Sequence, residues 1–488
     1  MRLGLWIAPS LVLALGGCDF APRYATPTVS LPANYRDPSA GEETPPGAPW
    51  WRSFKDATLD KLETEIDAAN PDLAATVAAS DAAFARAAEV EAHLLPQVDA
   101  LGGTSANRQS DHRPLRSASQ PTYYGNNLLG AQVSYEVDIW GRVRDLTKSA
   151  NLTAEASADA VAQARLELHA ELARAYVNLR GLDAEARFIS DTIGVYRSAL
   201  DLTKSRLEAK IASPVDVDRA QTQLSSAEAQ ASEIALRRTA LVDAMAALVG
   251  RPAPSFSVPP SSGEMRLPAR PRAVPADVLR RRPDVAEAER RTAAANQTVG
   301  AARANFFPRF SLLALGGTQD TGFRLFNAGN LFATVGPTID LPLFDAGLRQ
   351  AELDVAKAQF TEAAEQYRAS VLAAVKEVQD SLSALKWLAQ EYQQVSTAAA
   401  AAKRAADLSM TLYREGAASF LDVVTAQSAA LESQRLAINL HTRQLEANIA
   451  LMLALGGGWV VPPESTPPPP DLTPTPVQLV NDVWDAKQ

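Results

Sequence analysis

Tyr413-Arg414-Glu415-Gly416-Ala417-Ala418-Ser419-Phe420-Leu421-Asp422 interrupts a stretch, residues 343–461, that is rich in alanine and contains no proline. On its N-terminal side Val371, Val375, Val378, Leu382, Leu385, Ala389 and Tyr392 step alternately by four and three. That is the repeat, roughly 3.5 residues, which keeps an apolar seam turned toward a partner helix. At about 1.5 Å of rise per residue, an arm over 349–414 is roughly 100 Å long, more than a globular core requires. Gly416 suits the left-handed backbone that ends a helix, and Ser419 followed by Asp422 suits the cap of the next. The quoted stretch is therefore predicted to be the tip of a hairpin of two long helices.

The same hairpin is written twice. Ile189, Ile193, Tyr196, Leu200 and Leu207 step along a second proline-free run, 122–213, which ends in Ala212-Ser213-Pro214-Val215-Asp216-Val217-Asp218-Arg219-Ala220-Gln221. This aligns with Ala418-Ser419-Phe420-Leu421-Asp422-Val423-Val424-Thr425-Ala426-Gln427, and at the same offset Gly250 and Gly456 close the two second arms. A shared tip and shared ends mark an internal repeat rather than two unrelated coiled coils.

Residues 1–17 carry one arginine, an apolar run and small residues before Cys18, the pattern of a secretory signal peptide too short to span a bilayer. Leu15-Gly16-Gly17-Cys18 looks like a lipobox, which makes Cys18 the lipidated N-terminus after cleavage, and this lone cysteine excludes an intrachain disulfide framework. Lys and Arg number 47 against 56 Asp and Glu, a net charge of −9 with the basic residues scattered, so nucleic acid is not an expected partner. Residues 18–57 form a proline-rich extended segment, and a second proline-rich tail covers 461–488.

Within each repeat the period changes from helical to two. Leu129, Ala131, Val133, Tyr135, Val137 and Ile139 alternate with Gly130, Gln132, Ser134, Glu136 and Asp138; Leu331, Ala333, Val335, Ile339, Leu341 and Leu343 alternate with Thr334, Gly336, Thr338 and Asp340. Strands are predicted at 95–107 and 124–140 in a first repeat over 58–257, and at 307–319 and 330–344 in a second repeat over 283–460. An inter-repeat segment, 258–282, separates them, and the hairpin tips fall near 210–218 and 414–423. Strands of this kind suit a soluble sandwich or a membrane barrel with a wet lumen. Their bilayer-spanning length and arrival as two separated hairpins favour the barrel. Four strands cannot close one and lipid forbids open edges, so several chains must share it.

These blocks carry a resemblance. Cys18-Asp19-Phe20-Ala21-Pro22-Arg23-Tyr24-Ala25-Thr26-Pro27, then Trp50-Trp51 through Phe54 to Asp72-Leu73, are similar to successive blocks of the outer membrane efflux protein family, the TolC-like factors, in their NodT-type lipoprotein branch. Val274-Pro275-Ala276-Asp277-Val278-Leu279-Arg280-Arg281-Arg282-Pro283-Asp284-Val285-Ala286-Glu287-Ala288-Glu289 resembles the family's most specific motif, and Asn305-Phe306-Phe307-Pro308 and Leu455-Gly456-Gly457-Gly458-Trp459 agree with it. The resemblance implies a mixed, mainly α fold. A homotrimer would form a transmembrane 12-strand β-barrel, four strands per chain, in the cell outer membrane. A long periplasmic α-helical coiled-coil barrel with an equatorial α/β belt would continue it.

It implies equally a passive exit duct of a tripartite efflux pump for drugs or other small toxic compounds. A periplasmic adaptor protein would open it at the tips, and an inner-membrane transporter of the resistance-nodulation-division (RND) class would supply the energy. Asp422 matches a constricting aspartate of the family, with Asp216 its counterpart. Where the family often has a second acidic residue one turn later, this chain has Thr425, and Arg219 in the first repeat; Asp218 is the candidate to stand in. Adaptor contact is expected at Ala212, Ser213, Pro214, Gly416, Ala417 and Ser419. A helix-capping role for Asp216 and Asp422 is compatible with the gate.

Two other functions fit parts of the pattern: the exit duct of a type I protein secretion system, and a surface-anchored coiled-coil structural lipoprotein. The amphipathic strands speak against the latter. Catalysis finds no motif, and His93, His112, His169 and His441 are too scattered for a metal triad, so neither enzyme activity nor a cofactor is expected. The Arg280-Arg281-Arg282 cluster is read as a solvated interdomain face paired with Asp284, Glu287 and Glu289.

Overall fold

The computed structural model describes residues 20–37 and 49–459, apart from 111, 114–116, 118, 262, 270 and 272. The signal peptide, Cys18 and the tail over 461–488 lie outside the described residues. In chain order the elements are α1 (Ala57–Ala69), α2 (Pro71–Glu91), β1 (Gln97–Arg108), β2 (Tyr123–Val137), α3 (Arg142–Glu208) and α4 (Pro214–Leu248). Then come α5 (Val278–Arg281), α6 (Pro283–Ala304), β3 (Arg309–Asp320), β4 (Leu331–Asp340), α7 (Leu348–Glu415) and α8 (Phe420–Ala454). The offset from Arg142 to Leu348 equals that from Pro214 to Phe420, so the repeat read from the two tips holds for whole helices.

The arms of each hairpin are unequal. Helices α3 and α7 run for 67 and 68 residues, whereas α4 and α8 have 35 each. The long helices are covered over their remaining length by α2 and α6, which stack end to end on α4 and α8. Proline starts both upper helices, so the preceding residue leaves the helical region and can bridge the break. Asn70 caps α2 through Leu73 N (2.8 Å) and donates its side-chain N–H to Leu248 O (2.8 Å). Arg282 donates to Ala454 O (3.2 Å) at the equivalent break. Gly250 and Gly456 follow at positive φ, 68° and 81°, and a Cβ on either would collide with Ala69 O or Arg281 O.

These breaks correct the reading of the arginine cluster. Arg282 is not on a solvated face: it is buried, with ion pairs of 2.6 Å to both Asp284 and Glu377. Glu287 pairs with Arg291 instead, and Glu289 accepts the Tyr24 hydroxyl at 2.7 Å. The seam of α7 departs in one place. Val371, Val378, Leu382 and Leu385 are buried, but Ala389 is exposed and Leu388 takes its position. Leu388, the larger side chain, packs in the cluster that α7 forms with Leu440 and Leu451 of α8.

All four strands form one antiparallel sheet in the order β1-β2-β3-β4, with β2 pairing to β3 across the repeats. Strands β2 and β4 stop at Val137 and Asp340, short of 140 and 344. After β2, Asp138 accepts the N–H of Arg144 (2.9 Å) and its guanidinium, and Gly141 turns the chain into α3 at φ 82°. After β4, Pro342 has no N–H for a ladder. Asp345 then accepts from Gly347 N and the Arg349 side chain to start α7.

The main core sits at the equator, where Trp50, Phe54, Leu59 and Ile66 pack on Leu172, Tyr176, Met245 and Ile449. Within it His169 Nδ1 lies 2.6 Å from Glu63 Oε2, with the Trp51 ring stacked on the imidazole at 4.5 Å. Residues 20–37 form a strap without helix or strand, laid along α6 and α7. Its polar anchors are Asn296 to Pro22 O (2.8 Å), Arg36 N to Gln379 (2.8 Å), and the Asp37 carboxylate, which accepts from Gln379, Ser383 and Lys386.

Two outcomes follow from this packing. Gly456→Ala should lower the thermal midpoint in detergent clearly more than Gly416→Ala. Both lose a favourable positive φ, a strain of about 1–2 kcal/mol, but only at Gly456 does the methyl also meet backbone, the nearest atom at Gly416 being Arg206 Nη2 at 3.6 Å. Burial pushes the Glu63 carboxyl from 4.5 up to about 7. The folded state therefore binds this proton more tightly than the unfolded chain, and its contribution is complete at low pH and lost as pH rises through about 7. Glu63→Gln should flatten the fall in thermal midpoint between about pH 5 and about pH 8; an unchanged profile would show that another group sets it.

Candidate functional site

The register places side chains of opposite character on the two faces of the sheet. Val98, Ala100, Leu129, Ala131, Val133, Leu312, Ala314, Val335 and Ile339 are register neighbours on one face. The other face carries Asp99, Gln132, Ser134, Glu136, Ser311, Thr334, Thr338 and Asp340, together with some leucines. A cavity of about 610 Å³ opens below this polar face, lined by Gln97, Ser134, Glu136 and Thr338 and by Leu146 of α3, so the polar face is the one turned toward α3. The apolar face is therefore the outward one. Val98, Leu331, Val335 and Ile339 are all more than 60% exposed on it. Among the described residues no helix is long and apolar enough to cross a membrane.

At the opposite end the two hairpin tips converge within one chain. Tyr196, Leu200, Leu224, Met410, Tyr413, Phe420 and Val423 form a single buried cluster drawn from all four helices. Arg206 fastens it: its guanidinium donates to Tyr413 O and lies 4.5 Å from the centroid of the Tyr413 ring. Sequence reasoning missed this residue, because a contact between repeats leaves no periodic trace in either. The tips also differ in strain. The left-handed position filled by Gly416 in the second repeat is Lys210 in the first, at φ 59°.

Asp216 and Asp422 occupy equivalent positions, each the third residue of its helix in a capping box with Ser213 or Ser419. Their electrostatics differ. Asp216 Oδ1 faces Arg219 at 3.5 Å, whereas Asp422 has no basic partner among the described residues and accepts the Ser419 hydroxyl (2.7 Å) and N–H (3.0 Å). Those two hydrogen bonds hold the Asp422 carboxyl below the usual carboxylate range. Asp218 is exposed, and Thr425 turns its hydroxyl back to Leu421 O (2.9 Å). Of the expected adaptor-contact residues, Ser213, Pro214, Gly416, Ala417 and Ser419 are exposed and Ala212 is half-buried.

A sheet apolar on its outer face and open at both edges, mounted on paired helical hairpins, defines the class of outer-membrane ducts whose barrel is closed by neighbouring chains. The chain belongs to the outer membrane efflux protein family, whose match covers residues 64–251 and 274–457. It is 32% identical over 454 residues to the toluene efflux pump outer membrane protein TtgC of Pseudomonas putida, and equally to the antibiotic efflux pump outer membrane protein ArpC of the same species. Both alignments span 91% of this chain and 93% of the relative. The solved outer-membrane channel OprN superposes with a TM-score of 0.84 at 27% identity, over 91% of this chain and all of that one.

The cap geometry carries a pH signature. A lowered carboxyl pKa means that the contribution of Asp422 is present at neutral pH and lost in acid, as pH falls through its lowered folded value. Asp422→Ala should therefore speed amide exchange at residues 420–423 at neutral pH, with the difference from the parent vanishing in acid. Equal exchange at neutral pH would mean that tip packing alone fixes the first turn of α8.

Proposed function

We propose that three copies of this chain close a barrel of twelve strands in the outer membrane and form the passive exit duct of a tripartite efflux pump. The observation that carries this reading is the union, in one chain, of an outward apolar sheet with two unpaired edges and helical hairpins that reach far from it. Strand β1 of one copy pairs with β4 of the next, satisfying every edge amide that hydrocarbon would otherwise leave without a partner. Cys18, lipidated, anchors the chain at the periplasmic surface. Phe20, two residues on, stacks on Phe307 at 4.5 Å beside Trp140 at the base of the sheet, which is where such an anchor belongs. The chain has no enzymatic role.

The gate lies at the tips. Two hairpins from each of three copies gather there, and Asp422 and Asp216 supply carboxylate rings that repel one another and attract cations. Asp422 is the stronger contributor, because Arg219 already faces the charge of Asp216. Thr425, turned back onto its own helix, leaves Asp218 as the further acidic position. A periplasmic adaptor docks on Ala212, Ser213, Pro214, Gly416, Ala417 and Ser419 and parts the hairpins, and an RND-class inner-membrane transporter drives the flux. Small toxic organic compounds are the cargo, a reading supported by relatives named for toluene and antibiotic efflux.

Single-channel recording of the full-length protein in a planar bilayer tests the gate. The parent should show a small, cation-preferring conductance; Asp422→Ala should raise it more than Asp216→Ala, and the double variant most. The differences should shrink at high salt as the rings are screened. Variants that conduct like the parent at several salt concentrations would reduce both residues to helix caps.

A further inference from the structure

At the end of the sheet away from the helices, the outward face finishes in aromatic and arginine side chains that the duct reading leaves without a role. Arg108 and Tyr123 form the last register pair of β1 and β2 and share the parity of Val98 and Leu129, so both belong to the apolar face. The Arg108 guanidinium is 5.8 Å from the centroid of the Tyr123 ring, which is 70% exposed.

The β3–β4 turn comes to the same side. Asn127, on the outward face yet only 5% exposed, accepts the Thr104 hydroxyl (2.6 Å) and donates to Gly322 O (2.5 Å), and a Cβ on Gly125 of the same face would meet Thr321 O, so the β3–β4 turn starts against that face. The turn then displays Phe323, Arg324 and Phe326, the two rings 80% and 93% exposed. Its main chain is fixed: Arg324 N–H donates to Asp320 Oδ2 (3.0 Å) and Arg324 O accepts from Asn330 (2.7 Å). Among the described residues Asp320 is the one acidic side chain hydrogen-bonded to this turn, and its partner is the main chain.

The two ends of the sheet differ in one respect. At the base, Phe20, Trp140 and Phe307 stack together, and Arg142, Arg144 and Arg349 are paired with Glu136, Asp138 and Asp345. Among the described residues neither Arg108 nor Arg324 has an ion pair. Aromatic collars mark the two interfaces of a membrane barrel. Unpaired guanidinium groups added to one collar fit an anionic headgroup in that leaflet, since a guanidinium holds phosphate in a bidentate fork.

We propose that Arg108, Tyr123, Phe323, Arg324 and Phe326 form a site for a phosphorylated glycolipid of the outer leaflet, the guanidiniums on its phosphates and the rings among its acyl chains. The site continues the lipid-facing surface of the sheet, and it rests on the orientation given above, with the helical tips in the periplasm.

The test uses the full-length protein, Arg108→Ala/Arg324→Ala and Phe323→Ala/Phe326→Ala, each mixed in detergent with lipid A or with dephosphorylated lipid A. Retained lipid is counted by native mass spectrometry, and conductance in a planar bilayer is recorded for each protein. The parent should retain lipid A in preference to the dephosphorylated form. The arginine pair variant should lose about fivefold in retention per arginine while conducting like the parent, and the phenylalanine pair variant should hold both lipids less well. Equal retention of the two lipids by the parent, or undiminished retention by the arginine variant, would overturn the site. So would an altered unit conductance in the phenylalanine variant, which would place the turn in the lumen. Preferential lipid A retention without conductance in any protein would uphold the site and count against the duct reading alone.

Discussion

Two rows of backbone N–H and C=O groups, on the free edges of β1 and β4, set the terms for the rest of the molecule. Each such group left without a partner in hydrocarbon costs several kcal/mol. The sheet has order β1-β2-β3-β4 and no strand among the described residues pairs with either edge, so in the trimer proposed above the edges are satisfied by copies meeting edge to edge. Everything below the sheet then has to repeat around the same axis. Two long helices per chain, each with a shorter companion above and below, give a layer of constant width from the base of the strands to the tips.

Much of this was legible in the sequence because it was written twice. The tip residues Ser213 to Asp216 and Ser419 to Asp422, and the closing glycines Gly250 and Gly456, fixed the repeat, and the offset they define holds for the ends of four helices. Alternation in β2 and β4 showed which side chains share a face. What was not legible is the contact made across a break or between repeats. Arg282 read as one of three surface arginines because the sequence does not reveal that α8 ends beside it. Arg206 gave no signal at all, and the strand ends at Val137 and Asp340 were decided by Asp138 and Pro342, which stop the strands although the alternation runs on past them.

Duplication has not left the two halves equal. At the left-handed corner of the tip one half has Gly416 and the other Lys210, and in the second turn one half has Thr425 where the other has Arg219 beside Asp216. The second-repeat tip is thus the less strained and the more acidic. The two hairpins of one chain therefore end in different surfaces, and whatever meets the tips meets two kinds of hairpin.

The strap over residues 20–37 bears on biogenesis. It is among the first parts of the chain to be synthesised, yet the partners that hold it, Glu289, Asn296, Gln379, Ser383 and Lys386, come from the last half. Sequence separations of 263 to 349 residues make these among the most non-local bonds in the fold, closed only after most of the chain exists. Until then the strap, which follows the proposed lipidation site at Cys18, lacks the partners that seat it. Its seating afterwards marks a chain whose second repeat is in place, so the order of synthesis makes the first segment described the last to be fastened.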